Sequence, residues 1–213
     1  MDAGDWDRRY AETTSVWSEG PNRFVEEELG SLAPGRAVDL AAGEGRNALW
    51  LAARGWRVAA VDFSAVALDK GRMRQERAGA LSGQVEWVHA DVLTYDAGDR
   101  SFDLVLLAYL QLPADDRKAV VRRAFAMLRP GGTFFLVAHD RTNLTEGTGG
   151  PQDASVLYTA EDVLADLAGS EVEVQNAGRV ARVVDSTHSG THTHDGQAQA
   201  VAYDAMVRLV RAG

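Results

Sequence analysis

The stretch Val38-Asp39-Leu40-Ala41-Ala42-Gly43-Glu44-Gly45-Arg46-Asn47 constrains this chain more than any other. A short apolar segment (Ala37, Val38, Leu40) carries an acid at Asp39 and runs into small residues at Ala41, Ala42, Gly43 and Gly45. Arg46 to Arg54 then reads as a helix closed by Gly55, and Val58 to Asp62 as a second buried strand that also ends in an acid. Small residues at such a turn let a ligand approach the backbone where a side chain would otherwise stand. The helix behind them begins with N–H groups that have no intrahelical partner. In this order the pieces make a nucleoside-binding βαβ unit.

Which nucleoside is decided by details. A dinucleotide fingerprint reads G-x-G-x-x-G, with glycines that let a pyrophosphate reach the helix start. Here the third small position is Ala48, and the glycine spacing alone is compatible with either ligand class. Asp39 shifts the balance, because an acid just before the loop repels a pyrophosphate and welcomes a cation. S-adenosylmethionine, with its ammonium and sulfonium groups, is such a ligand, and the residues favour it.

The following hundred residues continue the alternation. Val85 to Asp91 reads as a third strand ending in an acid, and Phe102 to Ala108 as a fourth, apolar enough to be buried on both faces. Asp115 and Asp116 open a helix with apolar positions at Val120, Val121, Ala124, Phe125 and Leu128. Leu128 to Gly132 reads as a turn and Thr133 to Val137 as a fifth strand. Over roughly residues 35 to 140 the chain resembles the class I S-adenosylmethionine-dependent methyltransferases. The resemblance rests on the Asp39–Gly45 loop, Asp62, Asp91, the Phe102-Asp103 strand start and the Leu128–Gly132 turn. It implies a single-domain α/β Rossmann-like fold, with a seven-stranded, mostly parallel sheet, helices on both faces and an antiparallel last strand.

Composition sets the outer bounds. At 213 residues the chain fits one domain of this kind. We divide it into an N-terminal helical lid (1–35), a cofactor-binding core (36–140) and a substrate-side region of loop, helix and C-terminal antiparallel strands (141–213). The absence of cysteine excludes disulfides, thiolate nucleophiles and cysteine-ligated zinc. An acidic, polar start unlike a signal peptide, and an apolar run from Phe102 to Leu112 too short to span a bilayer, point to a cytoplasmic protein without membrane contact. The net charge of −9, with no basic run, argues against a nucleic-acid substrate. The expected partner is a small-molecule methyl acceptor, and the expected state a monomer or homodimer.

Before the first strand, Trp6 and Tyr10 stand four apart, on one face of a helix, with Trp17 beyond. They suit either a helix packed on the sheet edge or a lid that excludes water from cofactor and substrate, where aromatic rings also attract a sulfonium. Trp6 to Tyr10, Trp17 and Pro21-Asn22 resemble the start of the small bacterial tellurite-resistance and thiopurine methyltransferases. Beyond strand five, the glycine-rich stretch to Pro151 has the length of a functional or mobile loop. Thr159 with Asp162 can cap a short helix carrying Val163, Leu164 and Leu167. Val172 to Val184 reads as a sixth strand bent near Gly178, and Ala202 to Val210 as a seventh. Between them, His188, His192 and His194 sit in a polar stretch with hairpin chemistry. Their spacing could bind zinc or nickel, but we read a solvated hairpin tip and no metal site.

The resemblance assigns roles. The Gly43 and Gly45 backbone would lie along the methionine and ribose, and Asp39 would help place the ammonium. Ala41 stands where the family often has glycine, and should narrow the loop slightly. Asp62 would accept both ribose hydroxyls, Phe63 would lie against the adenine, and Asp91 and the Val92 N–H would reach its edge. Arg46 could take the cofactor carboxylate or be an exposed helix arginine. Trp17 and Ala108 complete the cofactor positions. Trp6, Tyr10, Tyr109 and His139 would meet the substrate. His139, at the end of strand five, is the candidate acid–base residue, with a structural histidine as the alternative, and His89 reads as packing inside strand three. The cofactor would be S-adenosyl-L-methionine and the product S-adenosyl-L-homocysteine. The expected reaction is methyl transfer to an O, N or S nucleophile of a small molecule. A non-catalytic S-adenosylmethionine-binding regulator and a nicotinamide-dependent oxidoreductase are the alternatives.

Overall fold

A computed structural model describes residues 3–13, 16, 18–98, 102–184 and 200–213. Seven strands form one sheet: β1 Arg36–Leu40, β2 Arg57–Asp62, β3 Gln84–His89, β4 Phe102–Ala108, β5 Leu128–His139, β6 Val172–Val184 and β7 Ala200–Arg211. Their order is β3-β2-β1-β4-β5-β7-β6. The first five pair in parallel, whereas β7 runs antiparallel to both β5 and β6. The expected mixed sheet is therefore present. The strand order reverses between β1 and β4, and in open α/β sheets the crevice at that switch is where ligands bind.

Alternation along the central strands supplies two cores. Val38, Leu40, Val105, Leu107, Phe134 and Leu136 face α5 (Ala114–Ala126) and α7 (Ala160–Asp166). Ala37, Leu104, Leu106, Phe135 and Val137 face α2 (Arg23–Leu29) and α3 (Arg46–Ala53), which contribute Phe24, Val25, Leu29, Ala48 and Leu51. β4 is apolar from Leu104 to Ala108, where both its faces are covered. The α7 start has the expected capping box, in which Thr159 and Asp162 exchange side-chain and backbone bonds.

β6 carries a register shift between Val174 and Asn176, just before Gly178. Three readings need correction. Leu128 to Gly132 is an irregularity inside β5 rather than a turn before it. Leu128 already pairs with Phe102, the register shifts before Leu104, and Gly131 sits at φ +76°. β3 ends at His89, so Asp91 lies in the following loop, and His89 is exposed at the strand's carboxyl end, where its Nε2 lies 2.9 Å from the Phe63 carbonyl oxygen. The histidine-rich segment with His188, His192 and His194 lies outside the described residues, as does Trp17. Among the described residues no helix is long and apolar enough to cross a membrane.

Candidate active site

The carboxyl ends of β1, β2, β4 and β5 meet at one edge of the sheet, and the sequence-expected residues gather there. After β1 the chain turns through Ala41 (φ 59°), Gly43 (φ 57°) and Gly45 (φ 73°), all left-handed. Ala41 adopts this conformation with a side chain, which typically costs about 1–2 kcal/mol. Gly45 is required for a second reason: an added Cβ would collide with the Trp87 ring, which packs beneath the loop from β3. Asp62 holds the loop from the end of β2. Its Oδ2 accepts the Gly43 N–H at 2.8 Å and its Oδ1 the Ser64 N–H at 2.8 Å. Each carboxylate oxygen keeps a further lone pair for a ligand donor.

Asp39 is the most informative side chain. It is 1% exposed, and neither oxygen has a hydrogen bond of good geometry. Burial pushes its carboxyl up to about 7; the Arg46 charge and the Ala48 N–H oppose this rise, while the Asp62 charge adds to it. A buried carboxylate without a well-formed hydrogen bond is costly unless a cation arrives to pair with it. An ammonium fits that requirement.

Arg46, the first residue of α3, is half-buried rather than exposed. Its Nη1 donates to the Ser18 hydroxyl at 2.8 Å; burial lowers the guanidinium from its usual range, and the nearby Asp39 carboxylate opposes that fall. Asn47 Oδ1 accepts the Asn22 N–H at 2.9 Å, and Asn22 caps α2. Residues 18–22 are thereby fastened to the start of α3. Helix α1 (Ala3–Glu12) lies against α4 (Ala65–Ala78). Lys70 of α4 donates to the carbonyls of Tyr10 and Thr13 and also pairs with Glu44 of the glycine loop at 3.6 Å. The Ser64 hydroxyl donates to Asp7, and the Asp7 charge opposes ionisation of Asp62. Trp6 and Tyr10 stack with ring centroids 5.6 Å apart, Tyr10 being buried. The helix therefore borders the carboxyl end of β2 and is tied to the glycine loop.

Past β2 and β3, Phe63 is half-buried and Asp91 exposed, with Asp91 Oδ1 accepting the Leu93 N–H at 2.8 Å. Val92 is half-buried and its carbonyl accepts from Arg123 at 3.3 Å. Ala108 ends β4, and Tyr109 follows at φ 60° with its N–H bonded to the Val137 carbonyl at 2.7 Å.

Past β4 and β5 lies a buried polar cluster. The Tyr109 hydroxyl donates to Asp204 Oδ2 at 2.9 Å, Arg182 Nε donates to the same oxygen at 2.9 Å, and His139 Nδ1 lies 3.3 Å from Asp204 Oδ1. The Tyr109 and His139 rings lie 4.8 Å apart. Burial by itself would raise the Asp204 carboxyl, but His139 and Arg182 outweigh it and hold it below the usual carboxylate range. Burial, with the Asp204 charge, raises the Tyr109 phenol and keeps it a neutral donor. Asp204 was missed in the sequence, although a lone acid in the apolar run from Ala202 to Val210 is a usable signal. Arg182 and Asp204 come from strands β6 and β7, so only the antiparallel pairing Arg182–Ala202 and His139–Asp204 brings them to the site.

Residues 37–132 match the family described as a methyltransferase domain. The match begins in β1 and ends inside β5. The chain is similar to a demethylmenaquinone methyltransferase of Clavibacter sepedonicus, 36% identical over 118 residues, 55% of this chain and 44% of the relative. It also resembles the tRNA 5-carboxymethoxyuridine methyltransferase of Escherichia coli K12, 32% identical over 113 residues, covering 51% of this chain and 42% of that one. The chain thus spans less than half the length of either relative. The N-methyltransferase NodS of Bradyrhizobium japonicum WM9, solved with S-adenosyl-L-homocysteine, shares the fold at 16% identity, with a TM-score of 0.71 over 99% of both chains. The span matched by the family contains Asp39, the glycine loop, Asp62 and Asp91, and stops before His139.

Proposed function

We propose that this chain transfers the methyl group of S-adenosylmethionine to an O, N or S nucleophile of a small molecule. The buried Asp39 carboxylate, without a well-formed hydrogen bond beside the glycine loop, carries this reading. It matches an ammonium and opposes the pyrophosphate that a nicotinamide cofactor would bring. In this reading the remaining Asp62 lone pairs take the ribose hydroxyls, Phe63, Asp91 and Val92 flank the adenine, and Arg46 meets the cofactor carboxylate.

When bound, S-adenosylmethionine supplies a methyl on a cationic sulfur, open to in-line attack. The residues past β4 and β5 would hold the acceptor in line with it, and such positioning supplies several kcal/mol through effective concentration. Helix α1, with Trp6 and Tyr10, would exclude water above the cofactor. The net charge of −9 supports a small acceptor over a polynucleotide.

A screen for S-adenosyl-L-homocysteine release across thiols, phenols, amines and metalloid oxyanions tests the activity. Calorimetry with S-adenosylmethionine and with NAD tests the cofactor. Release with one acceptor class supports the reading. Binding of NAD in place of S-adenosylmethionine would overturn it, and tight S-adenosylmethionine binding with no turnover on any acceptor would favour a regulatory module.

A further inference from the structure

The polar cluster behind His139 is more elaborate than a packed histidine needs. Asp204 is fully buried in the middle of β7, opposite His139 in the β5–β7 ladder. Its Oδ2 takes two donors, the Tyr109 hydroxyl and Arg182 Nε, which leaves Oδ1 facing His139 Nδ1 at 3.3 Å, both atoms buried and without any other well-formed hydrogen bond. The imidazole is held on its other sides as well. The Tyr109 ring lies 4.8 Å away, the backbone N–H of His139 donates to Gln111 Oε1 at 2.9 Å, and Gly150 approaches so closely that an added Cβ would sit 2.9 Å from Nδ1. Gly150 has φ +77°, and its loop is pinned by Asn143, which donates to the Gly149 carbonyl and accepts the Tyr203 N–H.

We infer that Asp204 is a positioning residue that fixes His139 with its proton on Nδ1, leaving Nε2 as a base for an acceptor that still carries its proton at neutral pH, a phenol or alcohol. This deepens the methyltransferase reading and rests on it. A carboxylate at one ring nitrogen sets the tautomer, orients the ring and stabilises the imidazolium formed when the other nitrogen takes a proton. In the step itself the acceptor O–H bond breaks and its proton passes to Nε2. The oxygen forms the new O–CH3 bond, and the electron pair of the broken C–S bond stays on the sulfur of the departing thioether. A thiol acceptor, with a pKa near 8.5, has little use for such a base.

The groups facing this imidazole are Asp204 from β7, Tyr109 from the end of β4 and, through Asp204, Arg182 from β6, with Arg46 of α3 acting on Tyr109.

The test is nitrogen-15 NMR of histidine-labelled full-length protein, with and without S-adenosyl-L-homocysteine, His139 being assigned from His139→Gln. The expected neutral tautomer is Nδ1–H, and in Asp204→Asn the imidazole should titrate about 1–3 pH units lower. A neutral Nε2–H tautomer, or an unchanged titration in Asp204→Asn, overturns the inference. If that variant does not fold, the tautomer of the unaltered chain decides. Failure to bind S-adenosyl-L-homocysteine would overturn the methyltransferase reading instead, and the tautomer of the ligand-free chain would still decide the role of Asp204.

Discussion

Asp62 and Gly43 are joined by a 2.8 Å hydrogen bond from the loop N–H to the carboxylate, so the acid that ends β2 shapes the turn that follows β1. One side chain therefore serves the loop and faces the expected ribose. Substituting it should disturb both.

Asp62→Ala should weaken S-adenosylmethionine binding by more than Asp91→Ala does. Hydrogen bonds to charged groups contribute about 1.5–3 kcal/mol each, and Asp62 is buried with two backbone donors while Asp91 is exposed. We expect a loss of at least about tenfold for Asp62→Ala, with a lower melting temperature from the released loop. Calorimetry on folded variants checks this, and wild-type affinity in Asp62→Ala would show that the cofactor site is elsewhere.

Cofactor binding should release a proton near pH 6. Asp39 is raised to about 7 by burial, and a bound ammonium would lower it, so affinity should increase as pH rises from about 5 to 7. Calorimetry in buffers of different ionisation enthalpy measures the proton. The same shift has a sign for stability. Between the ordinary carboxylate value and 7, the folded chain binds a proton that the unfolded chain lacks, so this group makes stability fall as pH rises through that window. Asp39→Asn should therefore raise the melting temperature of the ligand-free protein at pH 8, have little effect at pH 4, and weaken cofactor binding by about tenfold or more. An unchanged affinity would remove Asp39 from the ammonium site.

Helix α1 should lose amide exchange when cofactor binds. Lys70 connects its last carbonyls to Glu44 in the glycine loop, which couples the two mechanically. Saturating S-adenosyl-L-homocysteine should slow exchange in residues 3–13, and Lys70→Met should speed it in the ligand-free chain. No change on saturation would leave α1 as an edge helix.

His139→Gln should lower kcat on a hydroxyl acceptor by roughly 10²–10⁴-fold, while cofactor affinity stays close to wild type because His139 is not among the proposed cofactor positions. On a thiol the loss should be much smaller. Equal losses on both acceptors, with a lower melting temperature, would make His139 part of the scaffold.

The local chemistry of the cofactor side was written in the sequence. The alternation of β1, β2 and β4, the loop from Ala41 to Gly45, the acids at Asp39, Asp62 and Asp91 and the cap at Thr159 all depend on residues a few positions apart, where period and turn chemistry act directly. The acceptor side could not be read in this way. Asp204 stands 65 positions after His139, and Arg182 lies on a different strand again; their meeting depends on the antiparallel register of β5, β7 and β6. Likewise, nothing local shows that Asp39 is buried without a well-formed hydrogen bond, or that Gly45 must be bare because Trp87 lies beneath it. Burial and cross-sheet register are properties of the assembled fold, because desolvation and long-range pairing exist only once distant segments have packed.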